Sequence, residues 1–84
     1  MISKNITINI PNDSDARPVA LLVQVASEFE SSVYVEVQDK KINAKSIMGM
    51  MSLGITDGEE VTIITKGADE AAAMEKIEAY LTSK

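Results

Sequence analysis

The 84-residue chain carries a formal net charge of −5 and contains neither cysteine nor histidine. That length supports a single domain, residues 1–84, with a modest core; the missing cysteines exclude disulfides and thiolate metal sites and suit a reducing cytoplasm. The acidic balance argues against direct, nonspecific nucleic-acid binding, which needs a dominant basic surface, and no segment approaches the roughly 18 apolar residues of a membrane span. With no cationic region and apolar run at its start, the sequence is expected to be a soluble, untargeted cytoplasmic protein without membrane contact.

Over residues 1–10, Ile6, Ile8 and Ile10 alternate with Asn5, Thr7 and Asn9, the pattern of a half-buried strand. Pro11, Asn12, Asp13 and Ser14 read as a loop. Asp15 then stands where a helix N-cap belongs, with Pro18 in the first turn. Val19, Leu22, Val23, Ala26 and Phe29 follow at helical spacing and predict a helix over residues 16–29 with one face in the core. Val33, Val35 and Val37 alternate with Tyr34 and Glu36 in a second strand. A polar turn at residues 38–40 leads into a short third strand over residues 41–44, which pairs back as a hairpin.

Lys45-Ser46-Ile47-Met48-Gly49-Met50-Met51-Ser52-Leu53-Gly54 comes next. Ser46 has the type and position of an N-cap for a helix of about two turns, too short to stand without packing. Gly49 interrupts the apolar run and Gly54 closes it. Ile47, Met48 and Met51 cannot all face one core on so short a helix, so some of them are exposed. Two readings stay open from spacing alone. Ser46 is a cap and the methionines are filler, or the segment is a switchable surface in which a phosphate on Ser46 sits at a helix N-terminus beside adaptable apolar contacts.

After a turn at residues 56–59, Val61, Ile63 and Thr65 alternate with Thr62 and Ile64 in a fourth strand over residues 60–66 that is apolar on both faces. Asp69 is placed as the N-cap of a last helix whose stripe is Ala73, Met74, Ile77 and Leu81, with Glu70 and Glu75 toward its start and Lys84 at its end, as the macrodipole favours. The order is β-α-β-β-α-β-α, an α+β two-layer sandwich with the helices on one face of a four-stranded sheet.

The Ser46 segment resembles the regulatory-serine segment of the HPr family, the small phosphocarriers of the bacterial sugar phosphotransferase system. Ala16-Arg17-Pro18, Leu22-Val23-Gln24, Ala26-Ser27-Glu28-Phe29 and Gly67-Ala68-Asp69-Glu70 extend the likeness over essentially the whole chain. The resemblance implies an open-faced sandwich of four antiparallel strands with three helices on one side. It also exposes a departure. In HPr phosphocarriers the residue before Ala-Arg-Pro is a histidine that accepts a phosphoryl group from enzyme I; here that residue is Asp15. A carboxylate cannot copy a reversible imidazole nucleophile, and an acyl phosphate would need a metal and a phosphate clamp that no ligand cluster supplies. For Asp15 the ranking is helix cap, then a fixed charge resembling phosphohistidine in sign, then phosphate acceptor. No residue is therefore assigned as catalytic, and no cofactor or metal is implied. Asp13 and Ser14 replace the glycine and apolar residue usual before the histidine. This clustered departure resembles the HPr-like catabolite-repression branch of the family, which keeps the serine and lacks the histidine.

In that branch the resemblance implies phosphorylation of Ser46 by HPr kinase/phosphorylase and docking of the phosphorylated form, as corepressor, on a LacI-type catabolite control regulator. Carried over by position, Ile47, Met48 and Met51 form the docking patch, with Arg17, Ala20 and Gln24 beside it on the first helix. Arg17 is either the bidentate partner of a carboxylate or phosphate, or a solvated first-turn arginine. Lys45, Lys40 and Lys41 are candidates to offset the phosphate charge, the last two also reading as an exposed hairpin. The alternative function is a phosphocarrier altered at Asp15; binding through the methionine patch without phosphorylation is a third. Monomer and homodimer both remain open, since an open sheet leaves strand edges.

Overall fold

A computed structural model describes residues 1–9, 17–37, 40–53 and 58–82. Its elements are β1 (Ile2–Thr7), α1 (Arg17–Ser27), β2 (Ser32–Val37), β3 (Lys40–Asn43), α2 (Ile47–Leu53), β4 (Glu60–Lys66) and α3 (Glu70–Leu81). The strands form one antiparallel sheet in the order β1-β4-β2-β3, with Ile6 opposite Val61, Val35 opposite Ile63 and Val35 also opposite Ile42. Strand alternation decides which face is covered. Ile6, Val33, Val35, Val37, Val61 and Ile63 point into one cluster with Leu22, Val23 and Ala26 of α1, Met50 of α2, and Met74, Ile77 and Leu81 of α3. Burial of each large aliphatic side chain contributes about 1.5–3 kcal/mol, which is what holds helices of 11, 7 and 12 residues that would be marginal alone. The α+β sandwich with three helices on one face is as the sequence leads one to expect.

The other sheet face is open. Tyr34 is half-buried there, and Lys41 Nζ stands 4.7 Å from the centre of its ring. Beyond β1 the pairing continues, with Ile8 N donating to Glu59 O at 2.8 Å and Gly58 N to Ile8 O at 2.7 Å. Asn9 N then donates to Leu81 O at 2.7 Å and ties the strand to the end of α3.

Asp69 departs from its predicted role. It precedes α3 but makes no side-chain cap hydrogen bond. Its carboxylate instead accepts from Glu30 N at 3.0 Å, from Ser31 N at 2.9 Å and from the buried Ser31 hydroxyl, in the turn between α1 and β2. A carboxylate so surrounded by donors is better spent joining two turns than capping its own helix, and the Ser31 hydroxyl, then the Glu30 amide, hold its pKa below the ordinary value. Gly67 makes this approach possible. Its φ is +150°, and a Cβ there would lie 2.6 Å from Ser31 Oγ and 2.7 Å from Ser31 Cα. Glu70 reaches back to accept from Gly67 N at 3.0 Å and takes the Met1 amine at 2.8 Å; the amine first, then the amide, lower its pKa too.

The first helix is shorter than the sequence suggests. It stops at Ser27, where Glu28 N and Phe29 N fold back onto Val25 O and Ala26 O at 3.1 and 3.3 Å, the i to i−3 tightening common at helix ends. The third strand begins at Lys40, one residue early, and the fourth spans residues 60–66 as predicted. The first strand proper ends at Thr7. Ile10, Pro11, Asn12, Asp13, Ser14, Asp15, Ala16, Gly54 and Lys84 lie outside the described residues, and so do the readings placed on them.

Candidate functional site around Ser46

The link from β3 to α2 sets the site. Asn43 shapes it twice: its side-chain oxygen accepts from Lys45 N at 2.8 Å, and its carbonyl accepts from Ser46 N at 3.0 Å. Ser46 then caps α2. Its Oγ accepts from Gly49 N at 3.2 Å, and its carbonyl accepts from Met50 N at 2.9 Å. This is the N-cap geometry read from the sequence, worth about 0.5–2 kcal/mol relative to alanine. The residue is exposed, so its oxygen is reachable from solvent.

Gly49 does not break the helix, which runs through it from Ile47 to Leu53. Its contribution is room. A Cβ at this position would lie 3.0 Å from Ile42 Cγ2 and 3.4 Å from Ser46 Oγ, so a larger residue would need the Ile42 side chain to give by a few tenths of an ångström and would sit in van der Waals contact with the hydroxyl.

The seven-residue helix divides its side chains sharply. Met50 is wholly buried at 0% exposure, whereas Ile47 is 54% and Met48 82% exposed. The expectation that some of these apolar residues are exposed holds for Ile47 and Met48, and Met50 is the anchor that the spacing did not single out. Helix α1 packs against α2 and presents exposed Ala20, Leu21 and Gln24. Of the residues predicted for the site, the described surface therefore includes Ser46, Ile47, Met48, Ala20 and Gln24. Arg17 opens α1, and its side chain, like that of Met51, lies outside the described part of the structure. Leu21, 40% exposed, was missed; the signal was available, since α1 carries more apolar residues than one helical face can bury.

The nearby cations are placed less simply than the sequence suggests. Lys45 does not extend into solvent but donates from Nζ to Phe29 O at 2.6 Å. Lys41, over the Tyr34 ring, belongs to the outer face of the sheet, opposite the helices, so it is removed from the set around Ser46. Lys40 is exposed at the start of the edge strand.

Comparison with known proteins gives these features a family. The profile described as "PTS HPr component phosphorylation site" matches residues 2–83. The HPr-like protein Crh of Bacillus subtilis (strain 168) is 47% identical over 81 residues, covering 96% of this chain and 95% of that protein. Among solved structures, HPr-C-His from Thermoanaerobacter tengcongensis superimposes with a TM-score of 0.89 at 43% identity, covering 99% of this chain and 93% of the other. The crystal structure of Bacillus subtilis Crh, a catabolite repression protein seen there as a domain-swapped, intertwined dimer, gives a TM-score of 0.75 at 47% identity over 93% of this chain and 85% of its own. The likeness in sequence extends over nearly the whole chain and the likeness in structure includes all seven elements, so the chain belongs to the HPr family.

Proposed function

We propose that this chain is a non-enzymatic regulatory member of the HPr family. Ser46 is phosphorylated by HPr kinase/phosphorylase, and the modified protein acts in the cytoplasm as corepressor partner of a LacI-type catabolite control regulator. In the phosphorylation step Ser46 Oγ attacks the γ-phosphorus of ATP. The new Oγ–P bond replaces the bond to the β-phosphate oxygen, ADP leaves, and the hydroxyl proton passes to a base of the kinase.

The observation that carries this reading is an exposed cap hydroxyl directly followed by two exposed apolar residues, Ile47 and Met48, in a chain that has no histidine. A phosphate adds roughly −1.5 to −2 charge and three acceptor oxygens next to that apolar patch, a combination suited to a partner offering arginines around a hydrophobic pocket. Without imidazole, the family's other phosphorylation chemistry has no acceptor here. The Bacillus subtilis relative supports homodimer formation as part of the same reading, helped by the edge positions of β1 and β3.

Intact-mass spectrometry after incubation with HPr kinase/phosphorylase and ATP tests the first step. One phosphate is expected on the protein and none on Ser46→Ala; an unmodified protein beside an active kinase refutes it. Titration of the phosphorylated form against the regulator tests the second, and light scattering across a concentration series tests the dimer.

A further inference from the structure

Helix α1 ends without a basic residue of its own in the last turn, although the negative end of a helix dipole favours one. The cation arrives from elsewhere. Lys45, 16 residues beyond Phe29 and directly before Ser46, sets its Nζ 2.6 Å from the Phe29 carbonyl and is itself partly buried. The turn that receives it, residues 28–31, is held from the other side by Asp69, which accepts from Glu30 N and Ser31 N at 3.0 and 2.9 Å. All four amides of the turn are engaged, since Glu28 N and Phe29 N bond to Val25 O and Ala26 O. Glu28 also pairs with Lys76 of α3 at 2.8 Å. The turn therefore links the Ser46 segment to the far helix, and Lys45 is the contact on the Ser46 side.

We propose that Lys45 is a latch between Ser46 and this turn. It rests on the Phe29 carbonyl while Ser46 bears a hydroxyl, and it shifts to the phosphoryl oxygens once Ser46 is phosphorylated. The inference rests on the phosphorylation reading given above. The competition is one-sided. The ammonium meets only the partial charge of a dipole at the neutral Phe29 carbonyl, whereas the phosphoryl group offers about −1.5 to −2 full charge on a neighbouring residue whose Cα is ~3.8 Å away, so the bond to phosphate has both partners ionised. When Lys45 leaves, the Phe29 carbonyl turns to water and the end of α1 loses its cation. The weakly bonded amides of Glu28 and Phe29 then open more readily, while Glu30 and Ser31, still held by Asp69, change less. Phosphorylation at one side of the molecule is thereby registered at the turn that borders α3, giving a partner a second difference to read besides the phosphate itself.

Amide hydrogen exchange on the full chain, followed by NMR with the phosphorylation state checked by intact mass, tests this with Lys45→Met as the variant. In the parent protein, phosphorylation is expected to speed exchange at Glu28 and Phe29 by roughly three- to tenfold, the loss of about one hydrogen bond's worth of protection. Unphosphorylated Lys45→Met should already show that faster exchange. Verified phosphate on Ser46 with unmoved turn amides overturns the latch alone; so does unphosphorylated Lys45→Met with parental exchange rates. Absence of phosphate after treatment with active kinase overturns the phosphorylation reading and the latch together, and the mass spectrum separates that case from the others.

Discussion

Met48 and Met50 lie two residues apart on the same short helix, and the structure assigns them opposite roles. Met50 has 0% exposure and Met48 82%. Alanine at position 50 removes Cγ, Sδ and Cε from the core. At about 0.8 kcal/mol per methylene-sized group the transfer loss is ~2.4 kcal/mol, and the cavity left behind raises the total to about 3 kcal/mol, within the range known for methionine truncation. For a domain of this length each kcal/mol moves Tm by about 4–8 °C, so Met50→Ala should lower Tm by roughly 12–24 °C. Met48→Ala should leave stability within about 0.5 kcal/mol, because most of its surface is in water in either state. Binding reverses the order. Truncating an apolar anchor that becomes buried on docking costs about 1–3 kcal/mol, or roughly 5- to 150-fold in Kd, so under the proposed docking Met48→Ala is the variant expected to lose the regulator. Circular dichroism melts at fixed protein concentration, which removes any contribution from dimerisation, and calorimetric titration of the seryl-phosphorylated proteins measure the two effects. Similar Tm losses for both variants, or unchanged regulator affinity for Met48→Ala, would refute the division.

Three further outcomes follow from the same geometry. Ser46→Ala removes both the acceptor for Gly49 N and the proposed site of phosphorylation, so it should cost about 0.5–2 kcal/mol and take up no phosphate, whereas Ser46→Asp retains a capping oxygen and most of the stability. Gly67→Ala should destabilise more than Gly58→Ala: both have positive φ, but a Cβ at 67 meets Ser31 while one at 58 has nothing within 4 Å among the described residues, and equal melting temperatures for the two would be inconsistent with that crowding. Asp69 has its folded pKa below the ordinary 3.8, so its contribution to stability is fully present above that value and is lost as pH falls through the folded pKa; Asp69→Asn should lower Tm at neutral pH and flatten the fall in Tm below about pH 4, and an unchanged acid slope would sink the assignment.

Much of the fold could be read from the sequence because it depends on short-range periodicity. The alternation of Val33, Val35 and Val37, and of Val61, Ile63 and Thr65, marks the strand faces that turn out to be buried, and Ala73, Met74, Ile77 and Leu81 are all buried on α3. The Ser46 cap was equally accessible, since it needs only the residue and the three that follow. What periodicity does not carry are contacts between distant segments. Lys45 and Phe29 are 16 positions apart, and Asp69 and Ser31 are 38 apart; each pairing uses a residue whose local reading was already adequate, a flanking cation in one case and a helix cap in the other. Met50 failed for a different reason. Two turns of helix with apolar residues at positions 47, 48, 50 and 51 do not define a stripe, and only the packing of α2 on the sheet decides which one turns inward.

The serine segment also needs nothing from an imidazole. Ser46 requires the Gly49 amide as donor, Gly49 keeps the space beside Ile42 free of a Cβ, and the helix requires Met50 in the core. Since adjacent helical positions are about 100° apart, burying Met50 turns Met48 about 200° away, toward solvent. Exposure of Met48 beside the cap is thus a geometric consequence of anchoring the helix, and not a separate feature to be maintained. A chain that has aspartate at position 15 keeps the whole of this arrangement as long as it keeps the cap, the glycine and the anchor. Those three residues are where substitutions should damage the Ser46 surface even though none of them offers an exposed apolar side chain to it.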